Sequence, residues 1–215
     1  MKDLTNIQRT TQFLNKVFKA VNEKYFDNSL EMPVITIQTS VGAYGHITVN
    51  KVWNTDGIQR YELNIGAETL NRPIENVVAT MIHECSHLYA LMNNIKDTSN
   101  HGVYHNRRFK EIAEEMGHLH IDKHDKYGWT ITSPTEDTLD FCIEYGFEDI
   151  KINRQGAYFV AGTATPTATP TGAPKILKPS STRKYQCPCC KNSFRATKAI
   201  NVMCMDCNEQ FVVVG

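Results

Sequence analysis

His83-Glu84-Cys85-Ser86-His87 sets two imidazoles four residues apart with a carboxylate beside the first. On a helix that spacing turns both rings to one side, where they can grip one zinc ion. The carboxylate is then placed to act as general base on a zinc-bound water. Five residues alone recur by chance, so the surroundings decide. Ile74, Val77, Val78, Met81, Ile82, Cys85, Leu88, Tyr89 and Met92 gather on one side of a helix predicted over about 73–94. His83 and His87 fall on the other side with Asn76 and Thr80, and Glu84 lies between the two faces. Asn71 and Pro73 suit a helix start, with Glu75 in the first turn where the helix dipole favours an anion. The competing reading is a solvated polar face carrying two idle histidines.

Catalytic zinc takes three protein ligands and leaves a fourth position for water. The short-spaced form H-E-x-x-H-x-x-G-x-x-H is absent, because Ala90 stands in place of its glycine and Asn93 in place of its last histidine. Instead a polar loop leads into a second predicted helix over 105–117, in which Phe109, Ile112, Ala113 and Met116 repeat at helical spacing and Gly117 can cap the end. His105 opens this helix. On spacing alone His101, Glu111, Glu114 and Glu115 rival it as third ligand.

In these motifs the chain resembles the SprT-like zinc metalloprotease family (SprT and Spartan), which pairs an H-E-x-x-H helix with a third histidine shortly before an aromatic residue. His105-Asn106-Arg107-Arg108-Phe109 fits the H-N-K-x-F form of that element, and the resemblance promotes His105 over its rivals. Tyr44-Gly45-His46 followed by Trp53, Tyr61-Glu62-Leu63-Asn64-Ile65, and Gly128-Trp129-Thr130 extend the likeness over about residues 8–145. It looks closest to forms carried by phages and mobile elements, and a C-terminal zinc ribbon is common in the family. The resemblance implies a zinc-dependent protease acting on DNA-associated or DNA-crosslinked proteins.

A chain of 215 residues can hold one good-sized core and a small module. Phe13, Val17, Val21 and Tyr25 mark an amphipathic first helix rather than a signal peptide. No segment approaches the roughly 20 apolar residues of a membrane span. A cytoplasmic location is therefore expected, with the seven cysteines as thiols or metal ligands. Strands are predicted over 34–38, 45–52 and 61–65 with a turn at Gly42, and a short helix over 134–145 capped by Ser133. The expected class is α+β, a small sheet packed with the active-site helix. The expected organisation is a metalloprotease domain over 1–160, a Thr/Ala/Pro linker over 161–183 and a four-cysteine zinc ribbon over 184–215.

Within the last segment Cys187, Cys190, Cys204 and Cys207 form two C-x-x-C knuckles separated by thirteen residues, the pattern of a closed tetrahedral zinc site, with Cys189 left over. So short a module has too little core to fold unaided, so the metal is expected to be structural. The formal net charge of the chain is +0, yet Lys175, Lys178, Arg183, Lys184, Lys191, Arg195 and Lys198 face only Asp206 and Glu209 near the C-terminus. Lys184, Lys191, Arg195 and Lys198 are the candidate nucleic-acid contacts. Tyr185 and Phe194 either stack on bases or pack the ribbon's core. Elsewhere Cys85 and Cys142 read as core residues and His46 as structural. His118, His120 and His124 among Asp122 and Asp125 read as a solvated strand or turn, and Tyr104 and Tyr127 are conceivable oxyanion donors.

The expectation is thus a zinc metallopeptidase with two zinc ions, one held by His83, His87 and His105 beside the base Glu84 and one by the four cysteines. The ribbon would tether DNA near the cleft. Two other readings stand beside it: a general peptidase whose ribbon binds proteins, and a non-enzymatic nucleic-acid-binding protein. A base next to the ligands argues against the latter, since a structural site has no use for one.

Overall fold

The computed structural model describes residues 4–40, 42–155, 183–196 and 199–214, and the chain divides into two units, Met1–Ala157 and Tyr158–Gly215. Of the expected linker over 161–183, residues 161–182 lie outside the described residues, as does Lys198.

The first unit begins with α1 (Ile7–Phe26), started by Asn6, whose side chain accepts from the Arg9 amide at 3.0 Å. Its Phe13, Val17, Val21 and Tyr25 face is buried. The chain turns out of the helix through Asp27 and Asn28, both in the left-handed region. Buried Asn22 holds that turn by donating to the Leu30 carbonyl and accepting from the Leu30 amide, each at 3.0 Å.

Next come β1 (Val34–Gln38), β2 (Gly45–Ile47), β3 (Trp53–Thr55), β4 (Ile58–Arg60) and β5 (Glu62–Gly66). β5 is the centre of a sheet ordered β1-β5-β2, parallel to β1 and antiparallel to β2. Leu63, Asn64 and Ile65 are all fully buried there. A polar side chain in that position needs partners, and Asn64 finds them in the Gln38 amide at 2.7 Å and the Ser40 hydroxyl at 2.8 Å. The expected strand over 45–52 is shorter than predicted, because the chain leaves the sheet after Ile47 to make the β3–β4 hairpin around Asp56 and Gly57.

A 3₁₀ turn (Ala67–Thr69) leads to α2 (Ile74–Met92), the helix predicted over 73–94. Its start differs from expectation. Pro73 occupies the cap position and Asn71 does not cap; the Ile74 amide, which has no partner within the helix, is met at 2.9 Å by the carboxylate of Asp149, from far along the chain. Burial also differs. Besides the apolar stripe, Thr80, Glu84, Ser86 and His87 are buried, so α2 is covered on both faces.

The covering elements are β6 (Thr98–Ser99), β7 (Tyr104–His105), α3 (Arg107–Glu115), β8 (His120–His124) and β9 (Gly128–Ser133), the four strands forming a second sheet ordered β6-β7-β9-β8. Of this sheet only β8 was foreshadowed, by the reading of His118 to Asp125 as a solvated strand or turn; β6, β7 and β9 were not, for they are short or largely polar. Finally α4 (Glu136–Glu144) starts at a Thr135–Thr138 capping box rather than at Ser133. Phe147 and Ile150 return to the core, and the Lys151 amide donates to the Leu4 carbonyl at 3.1 Å. The unit is a mixed α+β fold. No helix among the described residues is long and apolar enough to cross a membrane.

The second unit holds β10 (Arg183–Gln186), β11 (Ser193–Ala196), β12 (Met203–Cys204), β13 (Glu209–Gln210) and β14 (Val212–Val213). β10 pairs with β11 and β14, and β12 with β13, all antiparallel.

Because Asp149 supplies the cap that the sequence around Pro73 lacks, Asp149→Ala should destabilise the protein by about 1 kcal/mol. Urea denaturation should show a lower midpoint with an unchanged slope.

Candidate functional site

α2 places His83 and His87 one turn apart, and β7 brings His105 against them. One nitrogen from each ring lies within 4.8 Å of the other two, and His87 Nε2 is 3.0 Å from His105 Nε2. Imidazole nitrogens around a tetrahedral zinc sit about 3.3 Å apart, so three converging donors suit one small cation with a fourth position left for water. Phe109, from the first turn of α3, is fully buried beneath all three rings, with centroid separations of 4.5, 4.4 and 4.8 Å to His83, His87 and His105. The aromatic residue four places after His105 is therefore the floor on which the three rings rest.

The rings are held from behind. His83 Nδ1 lies 2.7 Å from the Thr132 hydroxyl on β9, and His87 Nδ1 is hydrogen-bonded to the buried carboxylate of Asp97. Such partners fix which nitrogen is free to ligate. His105 differs. Its Nδ1 is buried without a partner among the described residues, and the strand backbone holds it instead, its amide donating to the Tyr127 carbonyl at 2.9 Å. That contact depends on Gly128, paired with His105 at a φ of +75°, where an added Cβ would fall 2.1 Å from the His105 carbonyl oxygen.

Asn106 joins two of these supports. Its side-chain oxygen caps α3 by accepting from the Arg108 amide at 2.8 Å, while its side-chain nitrogen donates to the Lys96 carbonyl at 2.7 Å. Its own amide donates to the Asp97 carbonyl at 3.0 Å. The residue after His105 thereby pins the segment that carries Asp97 to His87.

Glu84 is 5% exposed and lies under β2. A Cβ at Gly45 would come within 2.8 Å of the Asn64 carbonyl and 3.2 Å of a Glu84 carboxylate oxygen, so the strand can pass this close only as glycine. Burial lifts the Glu84 carboxyl to about 7, against the pull of His87 and a backbone hydrogen bond from Ile47. Burial likewise drives His83 well below the ordinary imidazole value and His105 down to about 4, each helped by the neighbouring imidazoles. At neutral pH these two are uncharged lone-pair donors, as metal ligation requires.

The rival ligands are elsewhere. His101 is exposed in a turn with φ of 55°, Glu111 pairs with Arg107 at 3.1 Å, and Glu114 pairs with Lys110 and accepts from the Ile121 amide at 3.2 Å. His118 and His120 pair with Asp137 and Asp122, each at 3.3 Å, and they join no metal-sized group among the described residues. Cys85 and Cys142 are core. Sequence reasoning missed Asp97 and Thr132. A carboxylate soon after the second histidine was a usable signal for a ligand-orienting residue. Thr132 carried none, because only the pairing of β9 brings it to His83.

In the second unit the sulfurs of Cys187, Cys190, Cys204 and Cys207 also lie within 4.8 Å of one another, Cys190 and Cys204 at 3.6 Å. Lys191 and Asn208, each directly after the second cysteine of its knuckle, adopt left-handed φ of 63° and 52° and turn the chain back. Cys189 is exposed and outside the group. Tyr185 is 4% exposed, stacks on Phe194 at 5.2 Å and accepts from the Ile200 amide at 3.2 Å; Phe194 meets Phe211 at 5.0 Å. These aromatics pack the small core, the second of the two roles open to them. The Lys191 ammonium donates to the Pro188 carbonyl at 2.7 Å. Lys184 stands opposite Arg195 in the β10–β11 register.

A family model described as SprT-like matches residues 14–132, more than half of the chain, and spans the three histidines, Glu84, Asp97 and Thr132. Searches of curated proteins and of solved structures return no match.

The two candidate ligand sets predict two metal ions. Metal analysis of zinc-loaded protein should find two per chain, and one after Cys204→Ser with Cys207→Ser. His105→Ala should weaken the remaining site strongly and His101→Ala should not. Asp97→Asn should lower zinc affinity by roughly 10- to 100-fold, the usual worth of an orienting partner, as read by competition with a chromophoric chelator.

Proposed function

The chain belongs to the SprT-like family, and on that premise we propose that it is a zinc-dependent metallopeptidase. The observation that carries this reading is the convergence of three imidazoles beside a buried carboxylate. His83, His87 and His105 would hold the metal. When bound, zinc supplies positive charge that acidifies a water and polarises a substrate carbonyl. Glu84, the base in this proposal, takes a proton from the attacking water and returns it to the leaving amine. Thr132 and Asp97 keep the His83 and His87 rings aimed, Phe109 fixes their plane, and β2 keeps bulk water off Glu84.

The substrate we propose is a DNA-associated or DNA-crosslinked protein in the cytoplasm. Support comes from the SprT-like motifs and from the excess of Lys and Arg around the four cysteines, which would hold a structural zinc and bring DNA to the cleft. One observation favours a second reading, a general peptidase with a protein-binding ribbon. Tyr185 is packed inside and Lys191 is tied to its own knuckle, which leaves fewer side chains for DNA.

Glu84→Gln preserves size and removes the base. Zinc content should stay at the parent value while peptide cleavage falls by roughly 10² to 10⁴. Because burial raises its pKa in the metal-free site, the Glu84 carboxyl of zinc-free protein should titrate above the ordinary glutamate value of 4.5, as read by NMR of carboxyl-labelled protein. Full activity in the variant would count against the role of this residue as base.

Changing Lys184, Lys191, Arg195 and Lys198 together to Glu should abolish salt-dependent DNA binding while the ribbon keeps its zinc. Cleavage of DNA-bound proteins should then weaken most at low enzyme concentration. Unaltered DNA binding would favour the second reading.

A further inference from the structure

Arg72 lies between the 3₁₀ turn and α2 and is half-buried. Its Nε donates to the Thr69 carbonyl at 2.9 Å and its Nη2 to the Thr80 hydroxyl at 3.0 Å, and its guanidinium lies 4.0 Å from the ring centre of Tyr44. Five N–H groups belong to a guanidinium. Among the described residues these two hydrogen bonds are the ones it makes, and it forms no ion pair with a carboxylate. Burial accordingly lowers its pKa. A cation drawn partly out of water and left without a counter-ion is costly, and in a protein it points to an anion supplied from outside.

Its location says which anion. Thr80 precedes Glu84 by four residues, about 6 Å along α2. Both crowd the same point of β2, each 3.2 Å from where a Gly45 Cβ would be. Tyr44, which is 57% exposed, directly precedes that glycine. The Arg72–Tyr44 pair is therefore joined to Glu84 through Thr80 and Gly45, within about two or three residues of an extended peptide, since such a chain advances about 3.4 Å per residue. A planar cation held against an aromatic ring, with Nη1 making no hydrogen bond among the described residues, suits binding of a carboxylate.

Resting on the peptidase reading of the adjoining site, we propose that Arg72 and Tyr44 form a subsite that binds an aspartate or glutamate side chain of the substrate near the scissile bond. Arg72 is then a specificity-determining residue, and Tyr44 its platform.

The test uses full-length, zinc-loaded protein carrying Glu84→Gln, and fluorescein-labelled eight-residue peptides of Ala and Gly in which one Glu, Gln or Lys is moved along the chain. Fluorescence anisotropy at low salt should show, at one position, Glu bound about tenfold more tightly than Gln. Arg72→Gln should erase that difference while leaving the Gln peptides within twofold, Arg72→Glu should turn it toward Lys, and Tyr44→Ala, a change at an exposed ring, should reduce it. The proposal is overturned if the background protein does not distinguish Glu from Gln at any position, which needs no variant that might misfold, or if the preference survives both Arg72 substitutions. It is also overturned if oligothymidylate displaces the peptides in an Arg72-dependent way, which would assign the cation to phosphate. Incubating the same peptides with protein that retains Glu84 separates the two readings. If none is cut while the Glu preference stands, the peptidase proposal fails and the subsite remains.

Discussion

Burying Glu84, Ser86 and His87 in the middle of the core's own central helix is the constraint from which the rest of the first unit follows. Polar groups taken out of water must find partners within the protein. Ser86 returns its hydroxyl to the Ile82 carbonyl at 2.9 Å, as Thr80 does to that of Asn76 at 3.0 Å. The imidazoles cannot be satisfied that way and need side chains from other elements. Asp97 comes from the loop after α2, Thr132 from β9, and the close passage of β2 over Glu84 requires Gly45. The loop, the second sheet and the edge of the first are arranged around what one helix buries.

His105 shows the same economy from the opposite side. It has no side-chain partner for Nδ1 among the described residues, so its direction is set by the backbone of β7, by Gly128 across from it and by Phe109 below. The segment His105 to Phe109 combines a candidate ligand, a helix cap that also clamps the Asp97 segment, and an aromatic floor. Burial, with the neighbouring His87, holds the pKa of this ring down to about 4, against the pull of Asp97 and the Tyr127 backbone.

The second unit relies on a different principle. Among its described residues Tyr185, Phe194 and Phe211 are in contact while Ile200, Met203, Met205, Val212 and Val213 are exposed, so four thiolates around a metal would supply the cohesion that a core this small cannot. Left-handed residues after each knuckle give the backbone the turn that brings the pairs together.

The sequence by itself determined the parts whose chemistry is local. The 3.6-residue period of Ile74 to Met92 placed α2 to within a residue or two, and two imidazoles at i and i+4 on it had to share a side. Two C-x-x-C pairs likewise announced a group of four sulfurs. Tertiary structure alone decided what depends on residues distant in the chain. The fit of His105-Asn106-Arg107-Arg108-Phe109 to the family element already favoured His105 over His101; the packing brought it beside the other two rings, brought Asp97 and Thr132 behind them, and covered the polar face of α2. It set Asp149 on the Ile74 amide and assembled a four-stranded sheet from strands too short and too polar to show a period. Periodicity reports which residues share a face. What lies opposite that face is set by packing between segments, and no local pattern encodes it.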